Sequence, residues 1–207
     1  MKKLALLLVL GLLAVLVGAA PAAARPARTV DPAAVTPPLN PDFAPWSCSR
    51  TGKGIVCTGS YSPSYENEVS EFTCDGAPVY ITGSHREVMT RWHDAEGRAT
   101  RTVVHLDFPG DRVSLSPTGD GPFLTVRRHF QRLYDYPVPG DRASRVLTEV
   151  GAIYLVHAPG RGVILRDTGR VTFAPGREFE EIASKSGRHD FYDDVAGFVA
   201  TACAALT

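Results

Sequence analysis

Four side chains in one short region have the types and spacing that chemistry requires: His85, Glu87, His105 and Asp107. Between them lies Asp94-Ala95-Glu96-Gly97, which reads as a type I turn closed by a left-handed glycine, a common three-residue hairpin loop. Counting outward from this turn places Trp92 opposite Thr100, Thr90 opposite Thr102 and Val88 opposite Val104. The other face then pairs His93 with Ala99, Arg91 with Arg101, Met89 with Val103, Glu87 with His105 and His85 with Asp107. Val88, Trp92, Val104 and Leu106 make the first face a core face, and the second is ionisable. A slip of one residue would reverse both assignments, because strand side chains alternate with a period of two.

Two imidazoles and two carboxylates so placed could bind a divalent ion or act as the acid–base pair of a hydrolase. The opposing reading is a solvated outer face on which each imidazole meets a carboxylate across the strands. We carry the second reading forward. It assigns no catalytic residue, no metal and no cofactor, since ligands strung along two strands lack the compact spacing of metal motifs. His85, Glu87, His105 and Asp107 are the only catalytic candidates, and they belong to the hydrolase alternative.

The elements that would position these residues read as an antiparallel meander. From Thr90 to Phe130, β-rich runs such as RTVVHLD, RVSLS and PFLTVRRHF are separated by turn residues and alternate in polarity, as half-buried strands do. Four X-Pro-Gly-X tetrapeptides follow one chemistry, at 108–111, 138–141, 158–161 and 174–177. Proline fixes φ and glycine supplies a positive φ, so each is a type II turn candidate. Earlier, WSCSR and IVCTG flank Gly52-Lys53, read as a type II′ turn with glycine first. That register sets Thr51 against Gly54, Arg50 against Ile55, Ser49 against Val56 and Cys48 against Cys57. Residues 60–69 read as a loop, and short strands are expected on either side of Asp75-Gly76. At the C-terminus Phe191, Val195, Phe198, Val199, Ala202 and Leu206 recur at helical spacing, with Asp190 as the cap. The fold class expected is therefore mainly β: an antiparallel meander forming a barrel or sandwich, with one C-terminal helix packed on it.

Outside the domain, residues 1–24 combine Lys2 and Lys3, an apolar run and Ala22-Ala23-Ala24. This is the pattern of a cleaved secretory signal peptide, so the chain is expected to be secreted or extracytoplasmic, with no stable membrane anchor after cleavage near Ala24. Residues 25–45 are rich in proline and alanine and read as a disordered linker. A single disulfide-bonded β domain is expected over 46–207. An even set of four cysteines in an oxidising compartment favours two disulfides. The hairpin register gives Cys48–Cys57, which leaves Cys74–Cys203. Arginine-rich, alanine-rich composition resembles that of a GC-rich bacterial source.

Basic and acidic residues balance at 22 each over the whole chain, and the leader removes two lysines. Such a balance gives no electrostatic reason to expect nucleic acid. Arg127-Arg128-His129 reads as a solvated strand segment between Phe123 and Phe130. No G-x-S-x-G, H-E-x-x-H, P-loop or dinucleotide motif occurs. The leading expectation is a secreted bacterial β-protein without catalytic activity that binds a small ligand or an extracellular or envelope partner. The alternatives are a hydrolase using the hairpin cluster and a structural or inhibitor module. The layout, a meander followed by a helix with a late cysteine bonding backward, resembles that of lipocalin-type barrels. The G-x-W those proteins carry near the first strand is missing before Trp46, so no residue roles are carried over from them.

Overall fold

A computed structural model describes residues 28–207; the leader expected over 1–24 lies outside the described residues. The chain forms β1 (Arg28–Thr29), β2 (Ser47–Thr51), β3 (Gly54–Tyr61), β4 (Ser64–Cys74), β5 (Ala77–Ser84), β6 (Arg86–His93), β7 (Ala99–Ser114), β8 (Phe123–Asp135), β9 (Val146–Ala158), β10 (Gly162–Phe173), β11 (Ile182–His189) and two short helices, α1 (Asp190–Asp193) and α2 (Val195–Ala204). All strands lie in one antiparallel sheet of order β1-β2-β3-β6-β7-β8-β9-β10-β11, which does not close on itself. The sixteen-residue β7 is shared: its first half pairs β6, and its far end pairs β5 of the β4–β5 hairpin, for example Ser114 with Tyr80. The mainly β, meandering architecture expected from the sequence is thus the architecture observed.

Both disulfides form as expected. Cys48 pairs with Cys57 in the β2–β3 register read from the sequence, with Cα atoms 4.1 Å apart, and Cys74 joins Cys203 of α2 at 5.4 Å. The turn beneath the first bond differs from the expected one. Gly52 does not adopt the positive φ of a type II′ turn; Gly54 does, at 139°. A Cβ on Gly54 would lie 2.0 Å from the His93 carbonyl oxygen, whereas nothing lies within 4 Å of one on Gly52. Gly54→Ala is therefore expected to cost ~2–3 kcal/mol through backbone strain and steric overlap, and Gly52→Ala under ~1 kcal/mol. Urea unfolding of the two variants checks this, and equal midpoints would contradict it.

Three of the four Pro-Gly tetrapeptides are type II turns, with Gly140, Gly160 and Gly176 at φ 82°, 72° and 68° and the closing amides of Asp141, Arg161 and Arg177 bonded three residues back. The fourth is not. Pro109-Gly110 sits inside β7, where the register with β8 jumps from Phe108↔Arg128 to Asp111↔Val126. Extra residues in a long strand are accommodated as a bulge, and proline is tolerated there because it need not donate to the ladder. Residues 60–69, expected as a loop, instead end β3 and begin β4. Their polar side chains fit one exposed face of a strand.

The C-terminal helix is broken. Asp194, at φ −154°, separates α1 from α2 and caps the latter by accepting from the Gly197 amide at 2.9 Å. Asp190, expected as the cap, accepts instead from the Arg166 amide of β10. The stretch before the domain is also more ordered than its composition suggests. From Arg28 onward it packs: β1 pairs β2, Thr36 exchanges backbone bonds with Gly97 and Ala99, and Val35 and Phe43 are buried. Prolines already restrict this chain, so ordering it costs less entropy than ordering a flexible linker.

The inner face of the sheet carries the core. Phe43, Val104, Leu106, Phe130, Leu147, Val171 and Phe173 form its centre. A second cluster, with Val79, Leu124, Val156, Leu165 and Leu206, lies where α2 bridges β4 and β10.

Candidate functional site

The structure divides the four candidate residues between two faces. The Asp94–Gly97 turn forms, with Asp94 and Arg98 bonded across it, and His93 faces Ala99. Thr100 is then an extra residue: the register jumps so that Trp92 faces Arg101, Arg91 faces Thr102, Met89 faces Val104 and Glu87 faces Leu106. The Thr100 hydroxyl donates back to the Trp92 carbonyl at 3.2 Å, tying the bulge down. This is the one-residue slip that exchanges faces. Glu87, Met89 and Arg91 turn inward with Thr102, Val104 and Leu106. His105 and Asp107 turn outward with Val88 and with Trp92, which is exposed. The pairs His85–Asp107 and Glu87–His105 do not form. His85 meets Glu87 at 3.3 Å and stacks on Phe108, while Asp107 meets His129 at 3.3 Å on the exposed face. Among the described residues no three His, Cys, Asp or Glu side chains converge as a metal-binding group.

The inner face holds two cavities at its opposite ends. The first, of about 370 Å³, lies between the far halves of β7–β9, the β4–β5 hairpin and α2. Its walls are Val79, Ile81, Val113, Leu124, Val126 and Val156 from the sheet and Phe198, Val199, Ala202 and Leu206 from the helix side, with the Cys74–Cys203 bond in the lining. Alternation on the strands makes this wall continuous: Leu124, Val126 and Arg128 point the same way along β8. Two charged groups close its inner end. Asp111, buried, accepts from the Tyr65 hydroxyl at 2.7 Å. Burial pushes its carboxyl above the ordinary range against the opposing pull of Tyr65 and Arg128. The same burial, with Asp111 beside it, raises the Tyr65 phenol. Arg128 lies over the rings of Phe108 (4.5 Å), Tyr154 (4.7 Å) and Phe130 (5.1 Å), and its Nε donates to the Ile153 carbonyl. Stacking of this kind holds a guanidinium in place.

The second cavity, of about 680 Å³, is more polar and lies under the 28–45 segment. Arg91, Thr102, Arg132, Tyr134, Tyr136, Arg142 and Arg145 line it, with Glu87, Met89 and Val104. Arg145 is forked onto Glu178, and Arg132 donates through Nε to one oxygen of Glu149 at 2.7 Å. In both guanidiniums burial works against the charge, and the partner carboxylate more than offsets it, so both stay above the ordinary value.

Comparison with known proteins finds no matching family model, no matching curated protein and no matching solved structure.

Between the cavities lies a buried polar network that the sequence analysis did not single out. Asp167 and Glu149 are 0% and 1% exposed, a degree of burial that carboxylates reach only when fully partnered. Asp167 accepts from His189 Nδ1 at 2.9 Å and from the amides of Phe191 and Tyr192 at 3.1 and 3.2 Å. His189 Nε2 faces the Ser186 carbonyl at 3.0 Å. Glu149 takes Arg132 on one oxygen and the Tyr192 hydroxyl on the other. Burial and the adjacent Glu149 carboxylate push the Tyr192 phenol far above its usual range. The two carboxylates therefore tie α1 to β9 and β10. A signal existed in the sequence: Asp167 follows Leu165 by two within an apolar strand run, so it shares that residue's face.

Proposed function

We propose that this chain works outside the cytoplasm, as a secreted bacterial protein, and binds a small, largely apolar molecule without catalysing a reaction. The observation that supports this reading is the cavity of about 370 Å³ walled mainly by valine, leucine and phenylalanine side chains, with Asp111 and Arg128 as charged groups at its inner end and Glu71 of β4 also in its lining. Its size falls within the range of ligand pockets, and a largely apolar lining with a few convergent polar groups is their usual composition. A ligand with an apolar body and one polar head matches it. The head would lie toward Asp111 and Arg128, whose opposite charges favour a neutral hydrogen-bonding group over an ion. Extracytoplasmic location is supported by the leader sequence and by the two disulfides, both of which suit an oxidising compartment. Among the described residues no helix is long and apolar enough to cross a membrane. The hydrolase alternative is weakened by the division of its four residues between two faces, with His85 lining neither cavity.

Titration with the apolar fluorophore N-phenyl-1-naphthylamine tests the proposal. One saturable site per chain is expected. Val199→Trp, which fills the cavity from the α2 side, is expected to weaken it at least about tenfold, the equivalent of ~1.4 kcal/mol, with both disulfides retained. Unchanged binding in the filled variant would refute the site.

A further inference from the structure

The second cavity contains a charge that nothing in the described chain neutralises. Arg91 is only 6% exposed, yet no carboxylate of the described residues lies within ion-pair distance of it. Its Nη1 donates to the carbonyls of Pro37 and Pro38 at 2.9 and 3.3 Å, which secures the 28–45 segment over the cavity. Its Nε is buried and has no acceptor. Nε, with Nη2, forms the edge by which a guanidinium grips a carboxylate or phosphate with two parallel bonds. Directly across the β6–β7 ladder sits Thr102, 2% exposed, whose hydroxyl is also without a partner. Native proteins leave few buried polar atoms unsatisfied, and here two of them stand side by side on the wall of one cavity.

The surroundings share the same sign. Arg142 also lines this cavity and has no acidic partner among the described residues, whereas Arg132 and Arg145 are matched by Glu149 and Glu178. Glu87, the one carboxylate on the wall, meets His85 at 3.3 Å. Burial lowers the Arg91 pKa, and the neighbouring Arg142 and Arg145 lower it further against Tyr136. An anion seated there would relieve both penalties. Met89, Val104 and Tyr134 supply apolar and aromatic surface beside the charged wall.

We propose that this cavity is a second ligand site, distinct from the apolar cavity, and that it binds a small organic oxyanion, a carboxylate or a phosphate monoester, on the free edge of Arg91 with the Thr102 hydroxyl donating and Arg142 adding charge. The alternative use of Arg91, as a structural anchor for the Pro37–Pro38 segment, predicts changes in stability but none in anion affinity.

Isothermal titration of the purified chain with phenyl phosphate and with benzoate separates these. Wild type is expected to bind at least one of the two saturably at a single site, and the tighter probe identifies the head group. Arg91→Gln is expected to weaken that binding about tenfold or more, as loss of a charge-assisted bond does. Arg91→Lys, which keeps the charge but not the fork, is expected to restore only part of it. Should Arg91→Gln fail to fold, the isosteric Thr102→Val and the exposed Arg142→Ala carry the same test, each expected to weaken the anion by several-fold with an unchanged circular dichroism spectrum. Absence of saturable binding to both probes overturns the proposal. So does binding that these variants leave unaltered. Because N-phenyl-1-naphthylamine reports on the other cavity, neither result bears on the apolar site.

Discussion

Asp167→Ala is expected to destabilise the domain by ~3–5 kcal/mol, because it leaves several hydrogen-bond donors without an acceptor at ~1–3 kcal/mol each. The carboxylate is 0% exposed and satisfies His189 and the amides of Phe191 and Tyr192 at once. Alanine would strand three donors, the buried His189 ring and the two half-buried amides. It would also release α1, and with it the Tyr192 hydroxyl that bonds Glu149. Asn at this position keeps one acceptor oxygen and is expected to lose roughly half as much, since it satisfies some of the donors and leaves the rest unpaired. Denaturant unfolding of wild type, Asp167→Asn and Asp167→Ala measures the series. A loss below ~1 kcal/mol for alanine would show that water or a rearranged side chain takes over the donors.

The second large effect concerns the disulfide between β4 and α2. The Cys74–Cys203 bond links residues 129 apart in sequence, and Cys48–Cys57 links residues only 9 apart. In the chain-entropy view the longer loop is worth up to ~5 kcal/mol and the shorter ~2–3 kcal/mol. Replacing Cys74 and Cys203 together by alanine should therefore cost more than replacing Cys48 and Cys57. The difference should be visible locally as well. α2 contributes no residue to the sheet, and its exposed side carries Val195, Ala196, Ala200 and Thr201. Its hold on the sheet is that bond together with the packing of Phe198, Ala202 and Leu206. Hydrogen exchange is expected to accelerate across 195–204 in the Cys74/Cys203 variant and to stay unchanged there in the other. Binding of N-phenyl-1-naphthylamine should fall in the first variant alone, because the helix is one wall of the apolar cavity. Equal stability of the two variants, or unaltered exchange in α2, would contradict the assignment of that bond as the clasp.

How far these features could be read from the chain alone depends on the range over which they are decided. Local turn chemistry was legible. Cys48 falls opposite Cys57 because the register of a two-residue hairpin follows from its loop length, and that held even though Gly54, not Gly52, takes the unusual backbone conformation. Three Pro-Gly turns and the Asp75-Gly76 hairpin between β4 and β5 followed for the same reason. Pro109-Gly110 carried the same residues but lay within a strand whose partner β8 continued past it, while on the other side pairing passed from β6 to β5. There, the pairing of β7 with its neighbours outweighed the local preference.

The β6–β7 hairpin marks where local information ends. Its turn formed as read and its first pair, His93 with Ala99, was correct. One added residue at Thr100 then exchanged the faces of β7 relative to β6 beyond that point. Sequence alternation establishes which residues of one strand share a face. It does not reveal a bulge, because bulging one residue or pairing it leaves the same residues in the same order. Nor does it say which face the sheet wraps around. Arg91 and Glu149 are charged residues that composition alone would place toward solvent, while Asp167 shares the face of Leu165. They are buried because the 28–45 segment, α1 and α2 cover that face. Contacts between residues so distant in sequence decide which polar groups are partnered. They also decide that Arg91 and Thr102 share a cavity in which neither has a partner.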